Sequence, residues 1–178
     1  MDVLEQLSAF TSRLILRQQR QPQGFLPRLK RSSSYLTLNK LIAYAVPFAG
    51  RVGFEVTELK PGLLKARIPH KVNSDHSGFI YSGALFTLAD MPSTVMSICE
   101  FGTGFRPALK ELNLRVQTAA TSDVTVEFKI PKRQIKEILA QATKDGVSEF
   151  KLHGRLFGSE GELIAETTGV YELRYKAS

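Results

Sequence analysis

The sequence predicts an α+β fold in which an antiparallel sheet of about six strands wraps around one central apolar helix, at about residues 82–101. Apolar and polar residues alternate along several short stretches, which is typical of strands with one buried face. One long segment is apolar on nearly all sides, which predicts a fully buried helix. Glycine- and proline-containing turns separate the stretches. Because a buried helix must be covered, we expect the sheet to curl around it.

The first 40 residues are predicted to form a basic arm, and residues 41–178 the folded domain. Residues 1–40 hold seven Lys or Arg against two acidic residues, so they carry +5 of the net charge of +7 and leave +2 for the rest. Within residues 18–34, two prolines and a serine-rich end predict a linker. Apolar residues before it recur at helical spacing: Val3, Leu7, Phe10 and Leu14.

Three interpretations of this amphipathic segment stay open. It packs as a helix on its own dimer, lies as a helix on a membrane surface, or is a transit peptide rich in Arg and Ser.

Composition excludes several classes of function. The nearly neutral domain argues against a nucleic-acid-binding face. Cys99 is the single cysteine, which excludes an intrachain disulfide and favours a reducing compartment, so we expect a cytoplasmic protein. No apolar run approaches the roughly 18 residues that span a bilayer. The three histidines and Cys99 show no metal-ligand spacing, so neither a metal nor a cofactor is expected.

Six stretches of alternating residues are the predicted strands. A Pro61-Gly62 turn separates the first two, and a turn over residues 158–161 separates the last two. The stretches are residues 52–57, 64–69, 111–118, 124–130, 147–157 and 162–174.

Two helices are predicted among these strands. Residues 133–143 have one apolar face, which predicts an amphipathic surface helix, and Gly146 just after them is a typical helix stop. The other helix begins at Ser82 and is the central one. Ser82 and Gly83 place amide groups at its start, where the helix dipole attracts carbonyl oxygens and anions.

Asp90 is the exception within the apolar helix. A carboxylate among Leu88, Ala89 and Met91 is costly unless it is paired or functional. Pro92 follows and removes an amide from the helix. We therefore take Asp90 as the first candidate for a catalytic group.

The stretch of residues 75–90 resembles the signature of hotdog acyl-CoA thioesterases of the PaaI type. That signature has an Asn, a Gly three residues later, His-Gly-Gly three after that, and Leu-Ala-Asp inside the helix. The matching positions are Gly78, Gly83, Leu88, Ala89 and Asp90. The chain differs at Asp75, Tyr81 and Ser82, where the family has Asn, His and the first Gly. The added helix at residues 133–143 resembles a branch described only as a domain of unknown function.

The resemblance implies a hotdog homodimer, or a dimer of dimers, that binds acyl-CoA or another acyl thioester at the subunit interface. Asp90 would activate water or attack the thioester, and the Gly83 amide would polarise its carbonyl. Asp75 and His76 are further candidate catalytic residues.

Five residues are predicted to contact the substrate. Gly78, Tyr81 and Ser82 belong to the signature, whereas Lys132 and Arg133 form a small basic group that would meet a CoA phosphate.

A non-catalytic dimer that binds acyl-CoA or a fatty-acid-like ligand is the alternative, favoured by the changes at Asp75, Tyr81 and Ser82. A hotdog dehydratase ranks third, because no His follows an Asp at a catalytic spacing.

Overall fold

A computed structural model describes residues 25–102 and 104–175, together with residues 6, 9, 10 and 13. Its helices are α1 (Phe25–Ala45), α2 (Pro47–Arg51), α3 (Ser82–Glu100) and α4 (Lys132–Asp145). Its strands are β1 (Glu55–Lys60), β2 (Leu63–Ile68), β3 (Phe105–Val116), β4 (Val124–Lys129), β5 (Val147–Phe157) and β6 (Leu163–Tyr175).

The strands form one six-stranded antiparallel sheet in the order β1-β2-β4-β5-β6-β3, and α3 packs against it. This confirms the predicted α+β architecture. Alternation decides which face of each strand is buried, and β5 buries every second residue over most of its length. α3 buries most of its residues because it is apolar on nearly all sides. The helix and the inner face of the sheet therefore share one core.

The β1 edge of the sheet is covered by α1. Asn39 accepts the N–H of Val56 at 2.8 Å and donates to its carbonyl at 3.2 Å. The hydroxyl of Tyr35 accepts the N–H of Leu59 at 2.9 Å. Side chains from α1 thus satisfy backbone groups that an edge strand leaves open.

The opposite edge is β3, which pairs with β6 on one side; on its other side the described residues supply no strand. β3 is 12 residues long, and Leu109 and Val116 on it are 43% and 48% exposed. A long edge strand with exposed apolar side chains favours pairing with another chain.

Several turns follow the prediction. Gly62 and Gly161 have φ of +73° and +85°, and Gly146 ends α4 in the left-handed conformation at φ 77°. Glycine adopts these angles without the cost that a side chain would add.

Other segments differ from the prediction. The linker predicted for residues 18–34 is helical from Phe25 onward, so that prediction is wrong for the described residues. α1 crosses the predicted boundary at residues 40 and 41, and Leu38 lies in the core. The division into an arm and a domain stays a prediction.

The basic arm lies mostly outside the described residues, although Phe10 is helical and packs against the core. Across the described part of the chain, none of the helices combines the length and the hydropathy that a membrane span requires.

Candidate active site

One buried amide fixes the loop between β2 and α3. Asn73 is 8% exposed, and its Nδ2 donates to the backbone oxygens of Val52 at 2.8 Å and Pro69 at 2.7 Å. The backbone carbonyl of Asn73 accepts the N–H of Tyr81 at 2.8 Å. Because a buried amide needs its partners, this network determines where α3 begins.

α3 begins without a capping side chain. Tyr81 is the N-cap residue and makes no side-chain hydrogen bond to the first turn. The amides of Ser82 and Gly83 therefore lie at the positive end of the helix dipole, where they can bind a carbonyl oxygen or an anion. The Tyr81 ring is 64% exposed and lies over Gly83, where a Cβ would clash with it. The structure brings these three predicted residues together.

Asp90 lies about two turns into α3, on the helix face toward β6. Its Oδ1 accepts the hydroxyl of Tyr171 at 3.4 Å. The Ser93 hydroxyl donates to the Asp90 carbonyl at 2.6 Å and lies within hydrogen-bonding reach of the carboxylate. Burial raises the pKa of the Asp90 carboxyl, and the two hydroxyls lower it in part. A carboxylate with a raised pKa is a better general base near neutral pH.

Tyr171 is 2% exposed and points from β6 into the core. Burial raises the pKa of its hydroxyl to about 12, so at neutral pH it keeps its proton and donates to Asp90. Its ring stacks on Phe150 with centroids 5.6 Å apart.

The loop residue Asp75, predicted as catalytic, makes its hydrogen bonds within its own loop and not with Asp90. Asp75 is exposed, and its Oδ1 accepts the N–H groups of Ser77 at 2.8 Å and Phe79 at 3.2 Å. It thereby forms an Asx turn, a local role that its side chain explains. Gly78 ends the turn at φ +79°, and its carbonyl lies 2.8 Å from Nε2 of His70.

His76 is exposed on the same loop and makes no hydrogen bond among the described residues. The structure gives neither Asp75 nor His76 a contact with Asp90, and their catalytic roles stay predictions.

Lys132 and Arg133 lie nearer the last residue of α3 than its start. Lys132 acts electrostatically on Glu100, the last residue of α3, and α3 places Glu100 about 25 Å from Gly83 along its axis. Arg133 pairs with Glu137 at 2.8 Å on the surface of α4. Within one chain the two basic residues are therefore not brought to the signature residues, and their role as substrate contacts stays a prediction.

A metal centre has no support in the described part of the chain, where His, Cys, Asp and Glu form no group of three or more that could hold an ion. Cys99 lies in α3 with intermediate burial.

Sequence patterns missed three residues of the site. Tyr171 is separated from Asp90 by 81 positions, so no local pattern connects them. Asn73 is a buried polar residue in a loop, and its role emerges only from its acceptors. Ser93 was detectable in principle, because residues three apart on a helix are neighbours.

The family model that matches the chain is a domain of unknown function, DUF4442, over residues 36–168. A search among curated proteins gave no match.

Solved structures give close matches to the fold. A Pseudomonas aeruginosa protein of unknown function, described as a probable thioesterase, is 32% identical; the match covers 78% of this chain and 93% of that one, with a TM-score of 0.73. A Shewanella oneidensis protein described as a candidate thioesterase is 17% identical; the match covers 80% of this chain and 97% of that one, with a TM-score of 0.67. A Haemophilus influenzae thioesterase is 12% identical over 79% and 90%, with a TM-score of 0.64. The last two matches show the hotdog fold alone.

Proposed function

We propose that this chain, which belongs to the DUF4442 family, hydrolyses acyl-CoA or another acyl thioester. The observation that carries this proposal is the partly buried Asp90 carboxylate on the helix that starts with uncapped amides. The resemblance of residues 75–90 to hotdog thioesterases and the names of several structural neighbours support the same reaction.

The reaction needs two groups, an N–H donor and a base, and α3 carries one of each at different points along its length. The thioester oxygen accepts the N–H of Gly83 at the start of α3, which stabilises the negative charge that develops on it. Asp90 removes a proton from water as the water oxygen attacks the carbonyl carbon. When the C–S bond breaks, the thiolate leaves and takes that proton from the Asp90 carboxyl. In the other version of the mechanism, the Asp90 carboxylate attacks the carbonyl carbon and the C–S bond breaks, so that the thiolate leaves. Water then hydrolyses the resulting anhydride, which releases the acid and restores the Asp90 carboxylate, and the thiolate takes the remaining proton.

The spacing of Gly83 and Asp90 favours a site between two chains. Seven residues of helix separate them, which is about 10 Å along the axis. One carbonyl group cannot contact both groups at hydrogen-bonding distance from a single helix. If the helix start of one chain meets Asp90 of a partner, the two groups can approach the same thioester.

The edges of the sheet support the same assembly. Residues from α1 satisfy the edge at β1, whereas β3 is a long open strand with apolar side chains at its surface. Pairing of two β3 strands would extend the sheet across a homodimer.

A non-catalytic dimer that binds the same ligands is the second candidate. The Tyr81 ring, which stands where the thioesterase family has His, is exposed beside Gly83. An apolar ring beside the helix start favours binding of an acyl group without adding an acid or a base.

A panel of acyl-CoA thioesters of increasing chain length separates the two candidates. Free thiol release measures hydrolysis, and calorimetry on the same thioesters measures binding. Turnover of at least one thioester supports the enzyme. Micromolar binding without thiol release selects the binding protein, and the absence of both contradicts the two candidates together.

A further inference from the structure

Tyr171 reaches Asp90 because its own strand has no side chain at Gly169, two residues before it. A Cβ at Gly169 would lie 2.6 Å from the Tyr171 hydroxyl oxygen and closer still to the ring. Glycine inside a strand normally weakens the strand, because glycine loses more backbone entropy on folding and has no side chain that could pack. At this position it lets the ring lie along β6, so that the hydroxyl ends beside α3.

Two further contacts hold the ring in this position. Phe150 on β5 stacks on it with an interplanar angle of 27°, and Phe101 contacts Phe150 edge-on at 5.5 Å between centroids. Because Tyr171 is almost completely buried, its hydroxyl has little freedom to turn away from the Asp90 carboxylate.

We propose that Tyr171 is a positioning residue that holds one carboxylate oxygen of Asp90, so that the other oxygen is directed to the substrate. For its role in catalysis this inference rests on the proposed function. Oδ1 accepts the phenol hydroxyl, which leaves Oδ2 to take the proton of the attacking water. Holding the carboxylate in one orientation keeps the base aligned with the substrate, because small displacements of a catalytic group lower the rate.

The groups that act on Asp90 are few among the described residues. Tyr171 acts from β6 and Ser93 from α3 itself, and no charged side chain contributes to the shift. The buried positions of β2 and β4 are apolar, and on β5 the buried Ser148 donates to Gln141 instead. Removal of the phenol hydroxyl therefore removes one of the two groups that, among the described residues, stabilise the ionised carboxylate.

The test compares Tyr171→Phe with the native chain by ¹³C NMR titration of the aspartate carboxyls. The hydrogen bond favours the charged form of Asp90, so its loss raises the pKa of Asp90, by about one pH unit for a bond to an ionised group. Tyr175→Phe is the matched control, because Tyr175 lies on the same strand with an exposed ring and is expected to shift nothing. An Asp90 titration that is unchanged in Tyr171→Phe overturns the inference, whether or not the protein is an enzyme.

Gly169→Ala gives a second variant that keeps the phenol but displaces it. We expect the same upward shift, because the added methyl group takes the space of the ring. An Asp90 titration that matches the native chain in this variant also contradicts the inference.

Kinetics separates the inference from the proposed function. In the active protein the acid limb of the kcat profile moves to higher pH in Tyr171→Phe by the same amount as the NMR pKa, while KM changes little. If Asp90→Asn abolishes hydrolysis but the Tyr171→Phe profile is native, the positioning role fails and the proposed function stands. If Asp90→Asn hydrolyses normally while the NMR shift is present, the proposed mechanism fails and the contact stands.

Discussion

Replacement of Asn73 by Ala is expected to destabilise the loop that leads into α3. The change removes two donors, to the carbonyls of Val52 at 2.8 Å and Pro69 at 2.7 Å. A neutral hydrogen bond contributes about 1 kcal/mol, and a buried acceptor left unpaired adds about 1–3 kcal/mol. Since Val52 is buried and Pro69 only partly so, we expect the free energy of unfolding to fall by about 2–4 kcal/mol.

Guanidinium denaturation followed by circular dichroism measures this difference at a fixed protein concentration, because the proposed homodimer would make stability depend on concentration. Ser74→Ala is the control, because Ser74 is exposed on the same loop and its loss is expected to cost less than about 0.5 kcal/mol. Asn73→Asp keeps the shape of the side chain but sets a carboxylate against two carbonyls, so it is expected to be worse than Asn73→Ala at neutral pH. An Ala variant within about 0.5 kcal/mol of native, or an Asp variant no worse than Ala, would refute the role of the amide.

Two other changes test buried polar groups on α3. Ser97→Ala is expected to raise the free energy of unfolding by about 1 kcal/mol in denaturation, because Ser97 is 2% exposed and its hydroxyl has no partner among the described residues. A fall in the free energy of unfolding would show that the hydroxyl has a partner. Burial raises the pKa of Glu100 above the ordinary 4.5, although the Gly62 amide opposes this. A raised folded-state pKa stabilises the fold below pH 4.5, and that contribution is lost as the pH rises through the raised value. Glu100→Gln, which stays neutral, should therefore gain stability relative to the native chain as the pH rises from about 4.5 through the raised value, and a constant difference would contradict the shift.

The fold was predictable because its signals are local. Alternation along the strands and the all-round apolar surface of residues 82–101 depend on neighbours within a few positions. Turns at Gly62 and Gly146 follow from the angles that only glycine adopts easily. These features determine a buried helix covered by an antiparallel sheet.

The sequence did not predict helix α1 or the first half of strand β3, because tertiary contacts determine both. α1 begins among prolines and polar residues, yet Tyr35 and Asn39 bind it to the backbone of β1. β3 starts at Phe105, well before the alternation that begins at Glu111, because it pairs with β6 along its whole length. Propensity is a weak guide where pairing supplies the hydrogen bonds.

The candidate site was predictable in part. Asp90 was predicted because it is a charged residue in an apolar helix, and Gly83 because it leaves the backbone amides at the helix start uncovered. Tyr171 reaches Asp90 across 81 positions of sequence, and Asn73 acts through two backbone carbonyls. Such long-range partners become visible only in the fold.

The most direct test of the central claim is kcat for the best acyl-CoA substrate with native protein, Asp90→Asn and Asp145→Asn. Asp145 is an exposed residue at the end of α4, so its variant controls for the loss of a carboxylate. We predict that Asp90→Asn lowers kcat by about 10²- to 10⁴-fold, the contribution of a general base, while Asp145→Asn stays near native. Hydrolysis at the native rate in Asp90→Asn would contradict the claim that Asp90 is the base.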